Sequence, residues 1–348
     1  MENAITNRLN VLLLSAQGWD AGGTPDLSVS VVTYNSAHCL DAFFESLSMQ
    51  QGVRWELFLV DNASTDRTAA RLQDCAIGNL TLNPRNIGYG GAHNQNRSHF
   101  RGRHVLFLNP DQTLAPQVFE RLVRFLDENP RFAVAGPKVI EGPERVPFPP
   151  RRFYPGEGMI VLERGIARHE YAWVSGCCLA IRRSVLDEIG GFDPDYFLYQ
   201  EETDLCLRVR RAGYKIGWCP EVEVLHAGGQ SQAHLSEYEQ ARRLFDGTAL
   251  FWEKHYPSSE LPSMVRFQYL AARAFLALGG CWRWLPGETS RQFRPERMRA
   301  RRDVCGDWLK QRQCGVFPWD PGSLKIAVRQ VGLLFEWLRR GGFPLDDY

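Results

Sequence analysis

No two cysteines in this chain stand as a CxxC pair, and none of the nine forms an array with histidine, which excludes a zinc ribbon or a dithiol redox motif. Cys39, Cys75, Cys177, Cys178, Cys206, Cys219, Cys281, Cys305 and Cys314 are an odd number, and they read as reduced thiols in a cytosolic setting. Net charge is nearly absent too. With 41 Lys and Arg against 40 Asp and Glu, the balance of +1 excludes bulk nucleic-acid binding, and a 44% hydrophobic share excludes disorder. No apolar run reaches the roughly 20 residues that a spanning helix needs. The N-terminal VLLLSA follows Glu2 and Arg8, lacks a cleavage site and is too short for an export signal, so the expected location is the cytoplasm. There is no internal repeat, and no GxGxxG followed by an acidic residue to mark a dinucleotide fold. What remains is an ordinary globular composition in 348 residues, enough for a full enzyme core.

The pattern that is present alternates apolar strands with helices. Strands are expected at LSVSVVTY (27–34), WELFLVD (55–61), HVLFLN (104–109) and FAVAGPKV (132–139), and helices at 40–50, 64–74 and 116–129. The last has Pro116 at its first turn, Val118, Leu122 and Phe125 on one face, and Asn129-Pro130 as its stop. Such continuous apolar strands predict a mostly parallel central sheet covered by helices on both faces, with ligands beyond the carboxyl ends of the strands. A second block, 140–230, is rich in Gly, Pro and aromatics. It holds strand candidates AWVSGCCLAIRR and KIGWCPEVEVLH around a helix, EETDLCLRVRRAG, with Leu205, Val209 and Ala212 on one face and Gly213 as its stop. From residue 234 the pattern is helical. The expected division is an arm or linker at 1–26, a catalytic domain at 27–257 with halves 27–139 and 140–257, and a helical region at 258–348.

Polar clusters end these strands. In VDNASTD, Asp61 can accept from a base N–H, while Asp66 suits a helix N-cap. NPRNIGYGGAHNQN (83–96) is a glycine-rich loop entering a helix, where backbone amides can approach a diphosphate. Asp111, after Asn109-Pro110, suits either a Mg²⁺-type cation or an Asx-type turn. Glu201, Glu202 and Asp204 start a helix; they complement its dipole, or one of them acts as a general base. His226 closes a strand before Gly228-Gly229, where it is structural or reaches a metal or phosphate.

Taken together, VSVVTYNS, LFLVDNASTD, NPRNIGYGGAHNQN, VLFLNPD, WVSGCCLAIRR, GGFDPDYFLYQEETDLCLRVRRAG, VEVLHAGGQS and FWEKHYP resemble the family 2 inverting glycosyltransferases. That family has the α/β GT-A fold, and the resemblance is closest to its bacterial rhamnosyltransferase branch. It implies that Thr33, Tyr34, Asn35, Asp61 and Asn62 hold the nucleoside, that Asn86 and Gly88 line the nucleotide-sugar pocket, and that Asn109 and Asp111 meet the diphosphate. It further implies that Asp111 binds Mg²⁺ or Mn²⁺, that His226 assists at the metal or the leaving group, and that Glu202 is the base. The family's usual DxD is here Asn109-Pro110-Asp111, a form associated with rhamnosyl donors. Its usual Glu-Asp pair is Glu201-Glu202, which leaves the base open among Glu201, Glu202 and Asp204.

The expected activity is therefore a metal-dependent inverting transfer of L-rhamnose from dTDP-L-rhamnose to a bacterial cell-surface polysaccharide or lipid-linked glycan. A UDP-hexose or UDP-N-acetylhexosamine donor is the alternative within the enzyme class, and an inactive nucleotide-sugar-binding scaffold the alternative outside it. Trp173, Gly176, Arg151 and Arg152 are the expected acceptor contacts. YLAARAFLALGGCWRWL (269–285) followed by the basic RQFRPERMRARR suits either a helical appendage or peripheral contact with the cytoplasmic face of the inner membrane. The final segment, with Leu324, Val328, Val331, Phe335 and Leu338 on one stripe, poses the same choice.

Overall fold

Seven consecutive buried residues, Leu27–Thr33, form β1, a central strand with no exposed face. In the computed structural model, which describes residues 23–74, 79–142, 145–151, 154, 170–227, 235–257, 261–277, 295–312 and 314, β1 pairs in parallel on both sides. Its neighbours are β2 (Trp55–Asp61) and β4 (His104–Leu108), and β3 (Leu80–Leu82) lies beyond β2. The register sets Thr33 opposite Asp61, so two polar strand ends stand side by side.

β9 (Cys178–Arg182) runs antiparallel to both β4 and β6 (Phe132–Glu141), and β10 (Lys215–His226) returns parallel to β6. β5 (Gln112–Leu114) pairs antiparallel with the end of β10; β7 (Val146–Phe148) and β8 (Glu170–Tyr171) flank β6 and β10. Helices are α1 (Leu40–Ser48), α2 (Thr68–Asp74), α3 (Tyr89–Asn94), α4 (Val118–Glu128), α5 (Arg183–Ile189) and α6 (Glu201–Arg211). One apolar core joins Val29 and Val31 to Phe43, Phe119 and Leu122. A second joins Phe107 to Phe192, Leu205 and Val209 on the opposite face. Both faces of the sheet are thus covered, which is why the central strands are apolar on both sides between their end residues, apart from the buried Ser28, Ser30 and Glu56.

Three expectations need correction. α4 begins at Val118, after Gln117 at φ 67; that left-handed residue breaks helical geometry, so Pro116 precedes the helix rather than opening it. AWVSGCCLAIRR is not one strand, because only Cys178–Arg182 pairs with β4 while the residues before it bend into the site described below. Ala212 caps α6 in solvent instead of lying on its buried face, although Gly213, at φ 91, stops the helix as expected. The three-residue β3, β5 and β7 were not anticipated, being too short to display a period.

The chain divides into two compact units, Met1–Arg152 with Val161–Ala233, and Phe153–Ile160 with His234–Tyr348. In the second unit, Ser236 opens α7 (Glu237–His255) with a capping box to Glu239. α9 (Pro295–Gln311) packs on α7 through Phe245 and Trp308, and on α8 (Leu261–Ala277) where a Cβ on Gly306 would sit 3.2 Å from Tyr269. Among the described residues no helix is long and apolar enough to cross a membrane. Residues 1–22 of the expected arm, residues 278–294 and the final stripe lie outside the described residues.

Candidate active site

The end of β1 and the end of β2 hold each other. Thr33 Oγ1 donates to Asp61 Oδ1 at 3.0 Å, and Ser64 adds its hydroxyl to the same oxygen at 2.6 Å and its N–H to Oδ2 at 3.0 Å. Asp61, 2% exposed, is fixed in one orientation at the strand end. Asn35, at φ 52, a region Asn tolerates, accepts the N–H of Thr65 at 2.8 Å and ties that loop to β1. Half-buried Tyr34 lies between them in sequence. Asp66 accepts the N–H of Thr68, the first residue of α2, as a cap does.

Asn62, just past the end of β2, reaches the glycine-rich loop. Its amide donates to Asn86 Oδ1 at 2.8 Å and to the Gly88 carbonyl at 3.1 Å, while its oxygen accepts from Asn83 Nδ2 and Ile87 N–H, both at 3.1 Å. Two donors and two lone pairs are all that a carboxamide has, so this side chain is spent on clamping the 83–88 loop. Asn86 accepts the Gly88 N–H as well, at 2.9 Å. Gly88 stands at φ 84, and a Cβ there would lie 2.5 Å from the Phe197 carbonyl oxygen, which already accepts the Tyr89 N–H at 3.0 Å. The glycine thus seats the loop on the segment that leads into α6.

That segment turns through two left-handed residues, Tyr199 and Gln200, both at φ 72. Such strain persists where surrounding structure over-determines it, and here it aims the start of α6. The three carboxylates on its first turn differ in environment. Asp204 is 1% exposed and paired to Arg208 at 2.7 Å. Glu201 is 5% exposed, its Oε2 has no hydrogen-bond partner, and burial together with the neighbouring Glu202 drives its pKa well above the ordinary carboxylate value. Glu202 is only partly buried. Desolvation raises its pKa to about 7, against the opposing pull of backbone N–H groups at Glu202, Thr203 and Gln200. Gly176 makes room for it: a Cβ there would stand 3.0 Å from Glu202 Cβ. The Gly176 carbonyl accepts from Tyr89 Oη at 2.9 Å, and the next carbonyl, of Cys177, accepts the Asn109 N–H at 2.9 Å. Residues 176–177 therefore join the Glu202 side chain to the Asn109-Pro110-Asp111 turn.

That turn connects β4 to β5 and delivers Asp111 beside the last residue of β10. His226 Nε2 lies 3.3 Å from Asp111 Oδ1, and His226 Nδ1 lies 3.5 Å from Glu141 Oε1. Burial opposes charge on the imidazole, but the Asp111 and Glu141 carboxylates beside it outweigh that and hold its pKa well above the ordinary value. Asn109 Oδ1 and Asp111 Oδ1 are buried without a hydrogen-bond partner. Among the described residues no three His, Cys, Asp or Glu side chains form a group able to enclose a metal. The donor set nonetheless fits a hard divalent cation of the Mg²⁺ type, which takes one or two protein carboxylates and completes its shell with water and phosphate oxygens.

Of the expected acceptor contacts, Arg151 and Trp173 form an isolated antiparallel bridge, with the Arg151 guanidinium 4.7 Å from the Phe148 ring centroid and Phe148 6.4 Å from Trp173. Gly176 instead faces Glu202, and Arg152 lies outside the described residues. Sequence reading missed Tyr89, Phe197 and Glu141. Tyr89 was visible inside the glycine-rich loop, but nothing in the local pattern singles out Glu141.

The family model "Glycosyl transferase family 2" matches residues 28–190. An N-acetylglucosaminyl-diphospho-decaprenol L-rhamnosyltransferase of Mycobacterium tuberculosis is 29% identical over 259 residues, covering 64% of this chain and 84% of that protein. An O-antigen chain rhamnosyltransferase of Salmonella anatum is 24% identical, over 58% of this chain and 66% of the relative. A mannosyltransferase from Pyrobaculum calidifontis, solved with GDP-mannose and Mn²⁺, superposes with a TM-score of 0.50 at 19% identity, covering 98% and 94% of the two chains. That likeness concerns the fold, which is GT-A.

Proposed function

Because this chain belongs to glycosyl transferase family 2 and is a glycosyltransferase, we propose that it moves L-rhamnose from dTDP-L-rhamnose to a lipid-linked or cell-surface glycan, with inversion. One observation carries the mechanism: residues 176–177 link a partly open carboxylate with a pKa of about 7, Glu202, to the turn that bears Asp111. Glu202 takes the proton of the acceptor hydroxyl as that oxygen bonds to the anomeric carbon and the bond to the donor phosphate breaks. Glu201, buried beside it, keeps its proton, so the pair bears one negative charge rather than two. Asp204 is committed to Arg208 and is not the base.

At the other end, Asp61 accepts from the nucleobase, held ready by Thr33 and Ser64. Asp111, with Asn109 and His226 beside it, would hold Mg²⁺ or Mn²⁺, which supplies electrostatic stabilisation of the departing nucleoside diphosphate. The rhamnosyl donor is supported by the Asn109-Pro110-Asp111 form and by the names of the Mycobacterium and Salmonella relatives. The first of those names also supports an acceptor sugar carried on a polyprenyl diphosphate. Arg151, Phe148 and Trp173 are the acceptor-side contacts in this reading.

Product NMR is expected to show opposite anomeric configurations in donor and product; retention refutes single displacement. In a thermal-shift panel of dTDP-rhamnose, UDP-GlcNAc, UDP-Gal and GDP-mannose, with and without Mn²⁺, dTDP-rhamnose should stabilise most. Stabilisation by a UDP-sugar or GDP-sugar alone refutes the donor assignment. In the described part of the basic run, Arg297, Arg299 and Arg302 are each ion-paired to an acidic residue, which favours a helical appendage over peripheral membrane contact there.

A further inference from the structure

His226, the last residue of β10, stands between two other strands. β5 places Gln112 opposite it on one side, and β6 places Glu141 opposite it on the other. Backbone bonds secure both flanks, from Ala227 N–H to the Asp111 carbonyl at 3.0 Å and from Gly142 N–H to the His226 carbonyl at 2.9 Å. The ring consequently has a carboxylate at each nitrogen, Asp111 at Nε2 and Glu141 at Nδ1. Glu141 has no part in the mechanism above. The cations on its own hairpin, Lys138 and Arg145, are engaged by Glu223.

A neutral imidazole offers one lone pair, and the partner of the other nitrogen decides which one. Histidines that face a metal almost always give their second N–H to a carboxylate, carbonyl or water. We propose that Glu141 is the positioning residue of the donor-diphosphate site: it accepts the Nδ1–H of His226 and so fixes the ring with Nε2 on the side of Asp111, where a bound cation would take the place of the Nε2 proton. The inference rests on the reading of Asp111 and His226 as metal ligands. Both contacts are longer than an ordinary N–H···O bond, and Asp111 Oδ1 and His226 Nδ1 are buried without a hydrogen-bond partner. The three groups are aligned but stand slightly apart, as polar groups in unliganded sites commonly do.

The test uses the full chain with dTDP present, titrated with Mn²⁺ while free Mn²⁺ is read by EPR, and ¹⁵N-histidine NMR with diamagnetic Mg²⁺ in place of Mn²⁺ for the tautomer of the metal-bound ring. Glu141→Ala should weaken Mn²⁺ binding by about ten- to hundredfold and abolish the preference for Nδ1 protonation. Glu141→Gln, whose amide oxygen still accepts from Nδ1, should lose clearly less. Thermal unfolding confirms that each variant is folded. If Asp111→Asn loses Mn²⁺ while both Glu141 variants bind like the parent, the inference is overturned and the metal site stands. Equal losses in Glu141→Ala and Glu141→Gln overturn it as well, since charge rather than orientation would then be at work. Undiminished binding by Asp111→Asn refutes the metal reading itself.

Discussion

Replacing Glu202 by glutamine should make the enzyme nearly inactive and, above neutral pH, more stable. Burial raises the Glu202 pKa from 4.5 to about 7. A base must be unprotonated to act, so kcat/KM of the parent should rise about tenfold between pH 6 and pH 8 and fall about tenfold per pH unit below that. Glu202→Gln should lower the rate by about 10²- to 10⁴-fold and remove this limb. The stability effect has the opposite sign. A carboxyl whose folded-state pKa is raised costs nothing below pH 4.5, where both states are protonated. The cost accumulates as pH climbs from 4.5 to about 7 and is constant beyond, because the unfolded chain ionises first. At about 1.4 kcal/mol per pH unit, that interval is worth about 3 kcal/mol. Chemical denaturation of Glu202→Gln and parent should therefore agree at pH 4, apart from a constant offset, and diverge in favour of the variant by pH 8. An acid limb centred near 4.5, with a stability gap independent of pH, would refute the argument that burial tunes this residue.

Three other perturbations follow from named contacts. Gly88→Ala must place a Cβ 2.5 Å from the Phe197 oxygen at φ 84, and the backbone term alone costs about 1–2 kcal/mol; nucleotide affinity by calorimetry should fall at least about tenfold. Asp204→Ala leaves Arg208 without its buried partner and should cost about 3 kcal/mol in urea unfolding, while the pH midpoint of activity stays where it is in the parent. Asn62→Ala removes four hydrogen bonds to the 83–88 loop. Each is worth about 1 kcal/mol, and the Ile87 amide should exchange with solvent far faster; unchanged protection there would show that the clamp is not what holds the loop.

Much of the sheet was legible in the sequence. β2 and β10 fall on the expected 55–61 and 215–226: β2 is buried along its whole length, and β10 keeps a buried apolar majority in Ile216, Trp218, Cys219, Val222 and Val224 despite Glu221 and Glu223. The polar ends were legible as well, since Asp61 and Asp111 interrupt apolar segments where nothing in the core requires a charge. The short β5 was not, although it is the strand that sets Asp111 beside His226. Three residues cannot reveal a period, and their pairing depends on a strand about a hundred positions away.

The sequence by itself determined the kind of chemistry: a carboxylate after a rigid proline, acids opening a helix, and a glycine-rich loop between apolar strands. It could not assign roles among Glu201, Glu202 and Asp204, nor tell that Asn62 holds a loop or that Gly176 leaves space for a base. Those distinctions arise from desolvation and from contacts between distant segments. Adjacent carboxylates diverge because the fold buries Glu201 with an unpartnered oxygen, gives the likewise buried Asp204 the Arg208 guanidinium, and leaves Glu202 partly open with its pKa raised to about 7.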